Sequence, residues 1–296
     1  MAGTRQILQR RKAAANIEKI TRTMEMVSTA RYKTYHNRWR DAVDYNDALA
    51  KAAYLIATSP HPFDHSLLKE NTSGQMAILV IGSTRGLCGL YNTSVFRLTQ
   101  TYVDIAKNSQ KKLDIYAPDR KVVSMLNYHG IVPTKIYEDF GEVPSDTQIN
   151  RLADEFSSQY MAGQLDFFGI VYMRFYSVTS QQAQMLTIMP LMELIDDLTT
   201  RATVIWPWDL SFEDFYFSPS ADKIIEDLAR MLIRSSIRSC FVDAALSEHL
   251  ARMVAMRNAT DNAEEMIKEL TLQYNRARQT QITGELLDII GGTGAL

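Results

Sequence analysis

At 296 residues the chain has room for one large or two modest domains, and a hydrophobic share of 46% supports a packed core and excludes wholesale disorder. The formal net charge of −2 points to neither nucleic acid nor a membrane surface. The longest apolar runs, residues 76–81 and 185–192, fall far short of a membrane span.

The chain opens on Met-Ala-Gly-Thr-Arg-Gln and enters a basic helical pattern with no apolar h-region, so no secretory signal is read and an intracellular protein is expected. Residues 4–59 contain neither glycine nor proline, the two residues that most strongly interrupt helices. A second such stretch covers residues 220–283. Each predicts a rod of roughly 80–95 Å at 1.5 Å rise per residue.

Within the first rod, Ala13, Ile17, Ile20, Met24 and Val27 alternate steps of four and three, and we read them as a coiled-coil seam. The second rod repeats the rhythm at Leu246, His249, Met253, Met256, Thr260, Ala263, Ile267, Leu270, Tyr274 and Ala277. His249 and Thr260 are mismatches of the kind that loosen a seam or set its register. Both rods adjoin the same middle segment, which predicts an antiparallel pair. Counting outward places Met24 opposite the neighbourhood of Met256 and Ile17 opposite that of Ala263. The longer C-terminal rod is expected to run past the N-terminus as a lone tip.

Between the rods the periodicity changes. Strands are predicted at 76–81, 112–116, 135–137, 167–173 and 184–191, with helices at 92–107, 120–129 and 147–161. That alternation implies a mostly parallel sheet with crossover helices. Residues 59–75 and 199–219 read as connectors. The domain reading is residues 1–59 and 220–296 as coiled-coil helices around an α/β domain at 60–219.

Chemistry is sparse. Gly82-Ser-Thr-Arg-Gly86-Leu-Cys-Gly89 follows a strand and precedes a helix, where phosphate loops occur, but it has the spacing of neither GxxxxGK[ST] nor GxGxxG. The glycines are read as permitting a tight turn. Five scattered histidines form no ligand pair, Cys88 and Cys240 have no metal or disulfide spacing, and no serine sits in a GxSxG context. No catalytic, cofactor or metal residues are assigned, and no small-molecule ligand is expected. Charge says more. From Arg5 to Arg40 there are ten basic residues and two acidic ones, whereas from Asp222 to Asp288 eleven acids face nine bases. The second rod has too few acids to balance the first, so the basic stripe, including Arg10, Arg11 and Lys12, is read as a surface for an acidic partner rather than a merely solvated face.

Several segments carry a family resemblance. Lys19-Ile-Thr-Arg-Thr-Met24-Glu-Met-Val27 resembles the N-terminal signature of the γ subunits of F-type ATP synthases. So do Ser247-Glu-His-Leu-Ala-Arg252-Met-Val-Ala-Met256-Arg-Asn-Ala-Thr-Asp261-Asn262 and Leu270-Thr-Leu-Gln-Tyr274-Asn-Arg-Ala-Arg278-Gln279, with Ile282-Thr283 beyond. The resemblance implies a mixed fold: a long antiparallel coiled coil plus a central Rossmann-like α/β domain. It implies a non-catalytic rotor subunit whose partners are the α and β subunits of an α3β3 hexamer, subunit ε and the membrane c-ring, with no nucleic acid. Coupling contacts with the hexamer would include Met24, Arg252, Arg278, Gln279, Thr283, Glu285 and Ile289. The foot on the c-ring and ε would include Phe215, Tyr216, Phe217 and Ser218, where Ser218 replaces the family's usual acid. The implied place is the cytoplasmic face of a bacterial membrane, ahead of a mitochondrial or plastid one. Two rivals stay open: a coiled-coil scaffold that binds nucleic acid through the basic helix, and a nucleotide-dependent enzyme built on the α/β domain.

Overall fold

The structure is a computed structural model describing residues 2–57, 66–118, 120–201 and 221–293. In chain order the elements are α1 (Ala2–Ala57), β1 (Gln75–Val80), α2 (Tyr91–Asn108), β2 (Lys112–Ala117), α3 (Arg120–Tyr128), β3 (Lys135–Ile136), α4 (Asp146–Met161), β4 (Phe167–Ser177), β5 (Ser180–Met189), α5 (Leu191–Arg201) and α6 (Ala221–Thr293). They form two compact units, Met1–Ala30 with Arg252–Leu296, and Arg31–Ala251. The division falls inside both long helices.

In the Arg31–Ala251 unit the strand order is β3-β2-β1-β4-β5. β1 pairs in parallel with β2 and β4, β2 pairs in parallel with β3, and β5 returns antiparallel along β4. Alternation along the strands divides the core in two. Ala77, Leu79 and Ile81 join Phe168, Ile170 and Tyr172 on the side packed by α4 and α6, where Leu232, Ile233, Ile237 and Phe241 supply the helical face. Ile78 and Val80 join Val171 and Met173 on the side packed by α2 and α3. The strands of this inner sheet are apolar on both faces because helices cover both.

Short polar devices fix the joints. The Asp166 carboxylate accepts the Ser73 hydroxyl at 2.6 Å and the Gly74 N–H at 2.8 Å, tying the start of β4 to the start of β1. Burial works against its charge, yet the Ser73 and Gly74 donors outweigh it and hold this carboxyl below its ordinary value. Ser145 caps α4 in a reciprocal pair with Gln148. Asn46 on α1 donates to Ser239 on α6 at 2.6 Å and accepts from the Ser235 hydroxyl.

One element departs from expectation. The apolar run at 185–192 is divided: β5 stops at Met189, and α5, not anticipated, begins at Leu191. Pro190 between them lacks the N–H a strand ladder needs and has a φ suited to a helix start.

In the other unit the antiparallel pairing is as expected, with the Thr21 and Thr260 hydroxyls 2.7 Å apart. The seam of α6 is also as read: Met256, Thr260, Ala263 and Leu270 are buried. The seam assigned to α1 is corrected by one helical position. Ala14, Thr21 and Ser28 are the buried residues, whereas Ile17, Ile20 and Val27 are 51, 60 and 56% exposed. The buried positions of α1 are small, so the larger apolar side chains of this seam, Met256 and Leu270, come from α6. The apolar stripe of α1 is left outside. Opposed pairs such as Thr21–Thr260 and Arg22–Glu264 put the first residues of α1 level with the early 280s. The remaining turns of α6 extend past them, through Gly284.

Candidate coupling surface

The outer face of α1 in the Met1–Ala30 unit carries three adjacent rows. At 100° per residue, the buried row Ala14, Thr21 and Ser28 lies beside the apolar row Ala13, Ile17, Ile20, Met24 and Val27. Beyond it, Arg5, Lys12 and Lys19 repeat every seven residues, all exposed. The helix pair therefore shows a different chemistry on each side. Arg22 is taken up by pairs with Glu18 and Glu264, and Arg11 lies over the Tyr274 ring at 5.3 Å. Arg5, Lys12 and Lys19 are exposed, so the basic row keeps its charge toward solvent, and Arg10 is exposed in line with Ile17 and Met24.

The predicted contact residues separate into groups. Met24 is half-buried at the edge of the apolar row, and Arg278, Gln279 and Thr283 are exposed on α6. The Thr283 hydroxyl donates to the Gln279 carbonyl, one turn back. Arg252 is 5% exposed, unlike the others. Glu285 and Ile289 lie on α6, but their side chains are outside the described residues, as are Phe215, Tyr216, Phe217 and Ser218 entirely.

In the Arg31–Ala251 unit, a buried polar hub was missed by sequence reasoning because its members are far apart in the chain. Glu142, in the loop before α4, accepts from the Tyr35 hydroxyl at 2.8 Å, from His249 Nε2 at 3.2 Å and from Arg31 at 3.5 Å. Tyr35 and His249 stack with centroids 5.3 Å apart. The hydrogen bond from His249, with that from Tyr35, overcomes burial and draws the Glu142 carboxyl down to about 2. Burial and the neighbouring carboxylate push the Tyr35 phenol up to about 12. His249, read as a seam mismatch, is the link by which α6 shares this hub with α1.

The turn at 82–89 lies at the carboxyl end of β1, where the strand order reverses and open α/β sheets commonly bind ligands. Here its donors are already used. Ser83 N–H donates to Asn92 at 2.9 Å, and the N–H groups of Thr84 and Arg85 donate to the buried Glu248 carboxylate at 2.9 and 3.2 Å. The Thr84 hydroxyl donates to the same group. A carboxylate of the chain itself thus occupies the place an anionic ligand would take. The turn also depends on its first glycine: a Cβ at Gly82 would stand 2.6 Å from that of Val122.

Among the described residues no helix is long and apolar enough to cross a membrane, and no group of His, Cys, Asp and Glu is placed to hold a metal ion. The family model described as ATP synthase matches residues 3–296. The chain is 36% identical over 297 residues to the ATP synthase gamma chain of Rhodopirellula baltica, covering all of this chain and 99% of that one.

The chain belongs to the ATP synthase gamma chain family.

It is also 32% identical over 298 residues to the ATP synthase gamma chain of Leptospira biflexa, with both chains covered in full. In fold it is similar to a chain of the Euglena gracilis mitochondrial ATP synthase, solved as OSCP/F1/c-ring in rotational state 3, with a TM-score of 0.66 at 20% identity over 99% of this chain and 94% of that one. A second similarity is to a chain of the same organism's enzyme solved as the rotor, with a TM-score of 0.63 at 18% identity over 95% of this chain and 99% of that one. The gamma family thus accounts for the whole length, including both terminal helices and the α/β unit.

Proposed function

We propose that this chain is the turning central-stalk subunit of an F-type ATP synthase, coupling rotation of a membrane c-ring to nucleotide turnover in an α3β3 hexamer. Membership of the gamma family supports it, and one structural observation carries the mechanism. The paired termini satisfy their own seam with small residues and leave Ile17, Ile20 and Val27 facing outward beside a basic row. A shaft can drive its surroundings only if its contacts differ with angle, because only differential affinity moves an equilibrium. Apolar and basic faces at separate angles supply that difference. The chain contributes no reacting group of its own; it selects among conformations of subunits that do. Met24, Arg10, Arg11, Lys12, Arg278, Gln279, Thr283, Glu285 and Ile289 are the proposed hexamer contacts, with Arg252 supporting them from within. Phe215, Tyr216, Phe217 and Ser218 are the proposed foot on the c-ring and subunit ε, at the cytoplasmic face of a bacterial membrane.

The test is rotation in the reconstituted complex. A variant carrying Arg5→Glu, Lys12→Glu and Lys19→Glu changes only exposed positions, so the chain folds as before. Reduced torque or uncoupled ATP hydrolysis is expected. Unaltered ATP-driven rotation and ion pumping would rule out the electrostatic part of this reading.

A further inference from the structure

In the Arg31–Ala251 unit, α1 and α6 border a groove of about 580 Å³ that the coupling mechanism does not use. Its α6 wall presents Met231, Arg234 and Arg238, spaced at one face of the helix, and its α1 wall presents Arg38 and Tyr45. Met231 and Tyr45 are about half exposed, and the floor is apolar, with Val143 and Ile149. Asp41 is the acid of the lining, against three arginines.

The arginines are incompletely used. Arg234 pairs with Asp154 at 2.9 Å and Arg238 pairs with Asp146, but those carboxylates are 64 and 74% exposed, so both pairs face water and contribute little. The Arg234 Nε is buried and has no hydrogen-bond acceptor. A buried donor left unmade costs about 1–3 kcal/mol.

The shape selects the occupant. From Met231 to Val242 the α6 wall is roughly 16 Å long, about three helical turns. Arg234 and Arg238 stand one turn apart, a separation of roughly 6 Å that matches carboxylates at i and i+4 of a facing helix. A groove walled by two helices, with apolar side chains set between cations, is the form that receives an amphipathic helix. We propose that this groove docks an acidic amphipathic helix of another polypeptide, with carboxylates one turn apart on Arg234 and Arg238 and apolar side chains on Met231 and Tyr45. The inference uses residues 31–251 alone and does not depend on the rotor reading.

The test is titration of the full chain with a fluorescent alanine-based peptide of about four turns, carrying Glu pairs one turn apart and Leu on the same face. Saturable binding is expected, and Arg234→Glu with Arg238→Glu weakens it at least about tenfold. The same variant should gain affinity for a peptide with Lys in place of Glu, an exchange that misfolding cannot produce. Equal binding of a scrambled peptide, or no change in the double variant, overturns the proposal. Binding of inorganic phosphate or of phosphatidylglycerol vesicles, with no helix binding, overturns it in favour of a simple anion site or a lipid surface.

Discussion

Thr21 and Thr260 share one hydrogen bond across the helix pair, with oxygens 2.7 Å apart in a buried seam. Each hydroxyl also lies within reach of a carbonyl of its own helix, Ile17 at 3.0 Å and Met256 at 2.9 Å. A hydroxyl has one proton, so one threonine donates across the seam while the other donates to its own backbone. Each stays satisfied if its partner is removed. Thr260→Val should therefore cost only about 1 kcal/mol, the net value of one hydrogen bond, without an orphan penalty. Thr21→Leu should cost about 1–3 kcal/mol, because a larger side chain enters a seam built for small ones. Urea unfolding of both variants measures the difference, and a larger loss for Thr260→Val would refute this ordering.

Acid should act through Glu142. Its carboxyl titrates at about 2 in the folded chain against an ordinary 4.5. A depressed carboxyl contributes stability above its unfolded value and loses it as the pH falls through the folded one. The loss is therefore confined to the window from about pH 4.5 down to about 2, on the order of 3 kcal/mol. In Glu142→Gln that part of the acid dependence should vanish. A wild-type and variant difference that stays constant across this window would remove Glu142 as its source.

Glu248 is the built-in anion of the 82–89 turn. Glu248→Gln keeps an acceptor oxygen and should cost about 1.5–3 kcal/mol, the value of hydrogen bonds to a charged group. Glu248→Ala strands two N–H groups and the Thr84 hydroxyl, and should cost more. Amide exchange at Thr84 and Arg85 reports the effect directly, and protection unchanged in Glu248→Ala would show that the carboxylate is not their partner.

Gly82 should resist substitution for a steric reason alone. Gly82→Ala puts a methyl against Val122 and is expected to cost about 1–3 kcal/mol. Adding Val122→Gly removes the Cβ that the new methyl meets, so the double variant should lose less than the sum of the two single losses. Thermal unfolding of the single and double variants provides the comparison; two losses that simply add would mean the residues do not meet.

Patterns that answer to a single neighbour are legible in the amino-acid order. The apolar rhythm of α6 located its seam residue by residue, because Met256, Ala263 and Leu270 are buried by the chain itself. The strands of the inner sheet were legible for the same reason, with helices covering both faces. In α1 the rhythm was equally clear and led one position astray. Its apolar row is the exposed one, and its seam is made of alanine, threonine and serine, which carry little periodic signal. α5 was hidden within a single apolar run that Pro190 divides.

Among the site residues, the basic stripe and the projecting end of α6 were visible in composition and spacing. The Glu142 hub, the Glu248 latch and the arginine groove were not, since each joins residues roughly one hundred or more positions apart. Sequence alone determined that two long helices pair antiparallel around a mostly parallel sheet, because breakers and periodicity act locally. Tertiary structure decided which face of α1 meets α6 and which buried charges find partners. A hydrophobic period records that a face seeks cover; only packing in three dimensions settles which neighbour provides it.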